Sequence, residues 1–111
     1  MAYRLIWSPA ARTDVDEIES HIAATRSPVS ARKVVQRMWE VMHKRCDFPY
    51  SARMIPEFED PTRRETFVHE WRLMYRMEGR RVRVMRVVHG RRLLRNVPGS
   101  FEESQAEYTA A

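Results

Sequence analysis

The sequence predicts an α+β fold: a first strand, an antiparallel hairpin of two helices, then a three-stranded antiparallel sheet. Three features predict it. Apolar residues recur at helical spacing from Ala11 to Met42, and alternate with polar ones at period two from Trp71 onward. Between the two regimes lies a stretch marked by Pro49, Pro56 and Pro61, which supports neither periodicity.

Each element can be justified in order. Ala2–Trp7 is short and apolar, with Tyr, Ile and Trp, and reads as a strand. Ser8-Pro9 then signals a helix start, because serine caps helices and proline is tolerated at the first helical position. The core stripe of that helix is Ala11, Val15, Ile18 and Ile22. Asp14, Asp16, Glu17 and Glu19 fall in its early turns, where the helix dipole favours acid. Ser27-Pro28 repeats the start signal for a second helix, with Ala31, Val34, Val35, Met38, Val41 and Met42 as its stripe and Lys44 and Arg45 at its end. Two helices joined by so short a turn form a hairpin. Residues 48–63 read as a loop crossing to the sheet.

Arg64–His69 is a short strand carrying Phe67 and Val68. In Trp71–Arg92, WRLMYRMEGRRVRVMRVVHGRR, two strands meet at Gly79. Trp71, Leu73, Tyr75 and Met77 point to one face, as core, and Arg72 and Arg76 to the other. The second arm, Arg81–His89, is rich in Val and Met with Arg83 and Arg86 interspersed. Met38, Met42, Met74, Met77 and Met85 suit a core or a groove, and Trp39 the exposed border of the second helix's stripe. After Arg95 the pattern lapses. Pro98-Gly99 is a turn, and Ser100 with Glu103 fits a capping box, so residues 95–111 form a short helix or a tail. The 111 residues make one domain.

The net charge of +5 is unevenly placed. Residues 1–62 balance, whereas residues 63–95 hold eleven arginines against three glutamates, and residues 96–111 carry only acid. The surplus therefore belongs to the sheet. Its arginines predict an anionic partner, either nucleic acid or an acidic protein segment. On the open face the candidate contacts are Arg72, Arg76 and Arg86, followed by His89, Arg91 and Arg92 at and beyond the strand end.

Other chemistries find little footing. Gly79, Gly90 and Gly99 are isolated, so no phosphate-binding glycine loop exists. His21, His43, His69 and His89 lack metal-ligand spacing, and no metal or cofactor is expected. The lone Cys46 reads as a small buried hydrophobe in a reducing cytoplasm. Apolar runs are too short for a membrane span, and no secretion signal is evident. What remains is arginine, histidine and tyrosine chemistry on a sheet. Arginine and histidine side chains can stabilise a phosphorane and protonate a leaving oxygen, provided some group takes the 2′-hydroxyl proton.

The opening W-S-P-A-A, the arm WRLMYRME and the terminus VRVMRVVHGRR, in this element order, resemble the ParE/RelE superfamily of type II toxins, in its ParE-like branch, over roughly residues 3–94. The resemblance implies a small cytoplasmic bacterial toxin of the plasmid-stabilisation kind, held inactive in a hetero-oligomer by an antitoxin whose acidic C-terminal segment wraps over it. ParE-like members poison DNA gyrase, and RelE-like members cleave messenger RNA on the ribosome. RelE-like sequences carry a tyrosine or a histidine-tyrosine pair just after the last strand, where this chain has Arg92, Leu93 and Leu94. Tyr75 should face the helices. The resemblance thus favours gyrase poisoning by binding. A metal-independent endoribonuclease using Arg72, Arg86 and His89 is the alternative, and a non-catalytic nucleic-acid-binding module the second.

Overall fold

The two serines cap the helices as the sequence predicts. In the computed structural model, which describes residues 3–90, β1 (Arg4–Trp7) leads through Ser8 into α1 (Pro9–Thr25), and Ser27 opens α2 (Pro28–Arg45). The Ser8 hydroxyl accepts from the Ala11 N–H and that of Ser27 from the Ser30 N–H, satisfying backbone donors that a helix start leaves open. Both helices carry proline in their first turn. A 3₁₀ turn (Pro49–Ser51) and β2 (Arg53–Met54) then precede β3 (Arg63–Val68), β4 (Trp71–Glu78) and β5 (Arg81–His89).

The sheet has five strands in the order β1-β5-β4-β3-β2, not the three expected. β3, β4 and β5 form the predicted antiparallel meander. Beside it β1 pairs parallel to β5, from Arg4↔Arg81 to Trp7↔Val84, because the helical hairpin carries the chain back across the sheet. β2 lies within the stretch expected to be loop: it holds two residues, paired with β3 as Arg53↔Glu65 and Met54↔Arg64, too few for any periodicity. The turns β3–β4 and β4–β5 each hold two residues, the first left-handed: His69 at φ 53° and Gly79 at φ 58°. Residues 95–111, expected as a short helix or a tail, lie outside the described residues.

One face of the sheet buries the core. Leu73, Tyr75, Met77, Val82, Val84 and Val87 pack there with Trp7, and with Ala11, Ile18 and Ile22 of α1 and Ala31, Val34, Met38 and Met42 of α2. Cys46 is buried in the same cluster, and burial pushes its thiol pKa up, aided by Asp47. β5 does not alternate simply. Its register with β4 passes from Tyr75↔Val84 to Met74↔Arg86, leaving Met85 as an extra residue in a bulge. The bulge resets the period, so Val84 and Val87 both reach the helices although they stand three positions apart.

The opposite face is covered too. The segment between β2 and β3 folds over it, placing Ile55 and Phe58 on Met74 and Val88 as a second, smaller apolar cluster. The expectation of an open arginine face is therefore corrected: Arg72 is 5% exposed. Loop chemistry makes the covering possible, because Asp60 accepts from both the Thr62 N–H and its hydroxyl and so fixes the return into β3.

Candidate interaction surface

Strand pairing sets the arginines in cross-strand rows. Arg63, Arg76 and Arg83 lie side by side across β3, β4 and β5, and Arg72 lies two residues before Met74 on the same face. Adjacent like charges are unfavourable, and carboxylates intervene at each point. Glu78 takes Arg83 Nε at 2.9 Å and lies 3.4 Å from an Arg76 terminal nitrogen. Asp60 lies 3.4 Å from Arg63, whose guanidinium also stacks 4.0 Å from the centre of the Phe58 ring. For Asp60, partial burial opposes the charge, but the two Thr62 hydrogen bonds and Arg63 outweigh it and leave its pKa below the usual carboxylate value.

Arg72 is held most fully. Its Nε donates to Glu65 and both terminal nitrogens donate to Glu57, one of them at 2.9 Å. Glu65 has no side-chain exposure, and its other oxygen meets Arg53 at 2.6 Å. Burial alone would lower the Arg72 pKa. Hydrogen bonds and charge from Glu57 and Glu65 outweigh that and raise it. Three of its five N–H donors are engaged in this way, and with the side chain only 6% exposed the guanidinium is closed to a phosphate.

Arg86 is clasped from the other side of the chain. Its Nε and one terminal nitrogen reach the Asp14 carboxylate of α1 at 2.8 and 2.9 Å, and the same carboxylate accepts the Val87 N–H at 2.8 Å. β1 ends opposite Val84, and α1 closes the rest of that edge: Ser8 donates its hydroxyl to the Met85 carbonyl, and Asp14 takes Val87. Asp14 is thus no solvated acid at a dipole. It stands on the buried stripe with Ala11, Ile18 and Ile22.

Tyr75 is fully buried, donates its hydroxyl to the Pro49 carbonyl at 2.7 Å, and has its pKa pushed up to about 12 by burial. It faces the helices, as its place in the strand predicts, and cannot act as a base on the other face. His89 packs edge-on against Trp71, with centroids 5.5 Å apart, and is half-exposed. Arg91 and Arg92 lie outside the described residues. The structure therefore does not gather Arg72, Arg86 and His89 around one point; each engages a different neighbour.

The sequence missed the carboxylates. Asp14 could have been found from its 3-4-4 spacing with the helix stripe, and Glu65 from an acidic residue standing mid-strand where the alternation faces Arg72. Glu57, on a loop, carries no such signal. Exposed basic charge remains on Arg53, Arg64, Arg80 and Arg81, and exposed apolar surface on Phe48, Tyr50, Met54 and Phe67. Arg64 spans the two kinds, donating to the Ala52 carbonyl at 3.0 Å with its guanidinium 5.3 Å from the centre of the Tyr50 ring.

No helix among the described residues is long and apolar enough to cross a membrane. Among solved structures, the chain is similar to the chromosomal ParDE toxin–antitoxin system from P. aeruginosa, with a TM-score of 0.68 at 22% identity over 79% of this chain and 96% of that one. It is also similar to the toxin–antitoxin complex RelBE2 from Mycobacterium tuberculosis, with a TM-score of 0.58 at 17% identity over 80% of this chain and 92% of that one. At such identities these two likenesses bear on the fold. A search of curated protein sequences finds no match. The family described as the ParE toxin of the type II toxin-antitoxin system, parDE, matches residues 5–94, from β1 to beyond β5. With that match, the five-stranded sheet under a helical hairpin is the fold of a ParE-type toxin, and the chain belongs to the ParE toxin family of type II toxin–antitoxin systems.

Proposed function

We propose that this toxin acts by binding: it arrests bacterial growth in the cytoplasm by poisoning DNA gyrase, and a cognate antitoxin neutralises it by direct contact. The observation that carries this reading is the internal pairing of Arg72 with Glu57 and Glu65 and of Arg86 with Asp14. A ribonuclease of this layout would need those guanidiniums for the phosphate and a base for the 2′-hydroxyl, and the one tyrosine on β4 is buried and turned away.

The surface suits a partner better than a substrate. Arg53, Arg80 and Arg81 offer positive charge, joined by His89 and, beyond it, Arg91 and Arg92. Phe48, Tyr50, Met54 and Phe67 offer apolar anchor points. An acidic antitoxin segment with a few apolar residues, ordering as it binds, matches both. Arg72 is withdrawn from the contact set, and Arg76 and Arg86 keep the sheet in register as its supports. Long-range attraction makes the encounter fast and sensitive to salt.

The test uses one preparation of toxin in two assays: supercoiling by purified gyrase, and messenger integrity in a translating extract. Lost supercoiling with intact messenger is the expected result. Messenger cleavage with undisturbed gyrase overturns the proposal. Tight binding to plain DNA without either effect instead identifies a nucleic-acid-binding module.

A further inference from the structure

The helical side carries a pocket that the sheet chemistry does not use. It measures about 280 Å³ and lies between α1 and α2, lined by Trp7, Val15, Val35 and Trp39, with Arg12, Asp16 and Glu19 at its mouth. The two indoles are in contact, their ring centres 5.0 Å apart at 47°. Trp7 is 7% exposed, and its buried Nε1–H has no hydrogen-bond partner among the described residues. That nitrogen has almost no accessible surface, so Trp7 offers the pocket its ring and not its N–H. Trp39 stays 44% exposed at the border of its stripe, where the sequence predicts packing.

The mouth is charged in order along α1. Arg12 stands at one end, and Asp16 and Glu19 one and two turns further on. None of the three makes an ion pair or side-chain hydrogen bond among the described residues, although nearly every arginine of the sheet does. Two unpaired carboxylates over an apolar floor fit a long side chain with a cationic head, which lays its stem on Val15, Val35 and Trp39 and forks its guanidinium between the acids.

We propose that this pocket receives an arginine side chain of the antitoxin, its stem against the apolar lining and its guanidinium between Asp16 and Glu19. The antitoxin reading above is the ground on which this rests. The charges commit the occupant further. An acidic residue of the same segment faces Arg12, so that the segment crosses α1 in a single direction. The acid-bearing part of the antitoxin meets the basic sheet, and this basic residue pins its other part to the helices.

Two measurements test it. In the first, the indole N–H signals of Trp7 and Trp39 are followed by NMR while the isolated toxin is titrated with N-acetylarginine methylamide, and separately with N-acetylnorleucine methylamide. The arginine compound should move the Trp7 signal saturably, and this response should vanish in Asp16→Asn/Glu19→Gln, two surface changes that leave the core intact. Equal response to the norleucine compound overturns the proposal. In the second, the affinity of the antitoxin encoded beside the toxin is compared between wild type and that double variant. A loss of about tenfold is expected for one desolvated charge-assisted contact, and a change under threefold overturns it. Absence of antitoxin binding to wild type would sink the antitoxin reading itself, and the first measurement would still report on the pocket.

Discussion

Asp14 and Arg86, 72 residues apart, meet in a two-point contact at 2.8 and 2.9 Å, and the same carboxylate holds the Val87 N–H. This joins α1 to the edge of β5 that β1 does not reach. Removing one partner of a buried pair strands the other, so Asp14→Asn should cost about 3 kcal/mol in urea unfolding. Asp14→Leu combined with Arg86→Met should recover part of it. If Arg86 served a phosphate instead, its substitution would abolish toxicity at unchanged stability. The expected result is that the two fall together.

Arg72 makes the same argument on the far face. Arg72→Met leaves Glu65, with no side-chain exposure, facing only Arg53, and should cost about 3–5 kcal/mol. Arg72→Lys should also destabilise, since a point charge cannot span Glu57 and Glu65 as a planar fork does. Adding Glu65→Met to Arg72→Met should restore much of the loss, read by thermal unfolding.

The buried Tyr75 hydroxyl predicts alkaline sensitivity. Its folded pKa of about 12 lies above the ordinary value of 10.0, so the neutral form belongs to the native state. Its contribution is fully present below pH 10 and is lost as pH rises toward 12, about 2–3 kcal/mol across that window. Tyr75→Phe should be less stable at pH 8 by about 1 kcal/mol, because the Pro49 carbonyl loses its donor, yet its stability should fall less steeply above pH 10. Parallel curves for the two proteins would contradict this.

The two hairpin turns predict opposite signs. Gly79 holds φ 58° with open space around it, so Gly79→Ala meets only backbone strain and should cost about 1 kcal/mol. His69 already bears that strain at φ 53°, and His69→Gly should stabilise by about 0.5 kcal/mol after the added chain entropy is counted. Gly90 differs again. A Cβ there would come within 2.9 Å of the Phe67 ring and 3.2 Å of the Glu70 carbonyl, so Gly90→Ala should displace the exposed Phe67, visible in its ring NMR signals.

Where local pattern and tertiary demand agree, the fold was legible. Ser8-Pro9 and Ser27-Pro28 start helices, and Trp71, Leu73, Tyr75 and Met77 alternate onto the core as read. The parallel pairing of β1 with β5 was not legible, since nothing local to Arg4–Trp7 names its neighbour. Nor was β2, at two residues. The site was misread for a different reason. Arginine alternating on a strand looks the same whether it faces water or a carboxylate brought in by a distant loop, and Glu57 lies 15 residues from Arg72. The Trp7 and Trp39 pocket escaped because each residue alone reads as packing.

The claim that this toxin grips its target and does not cut it is tested most directly by the state of plasmid DNA in a gyrase reaction stopped with detergent and protease. A poison that traps gyrase on cleaved DNA converts supercoiled plasmid to linear in proportion to toxin, and prior addition of the antitoxin abolishes it. That is the predicted result. Plasmid left supercoiled by gyrase at every toxin concentration, with messenger cut in a translating extract from the same preparation, would contradict the account.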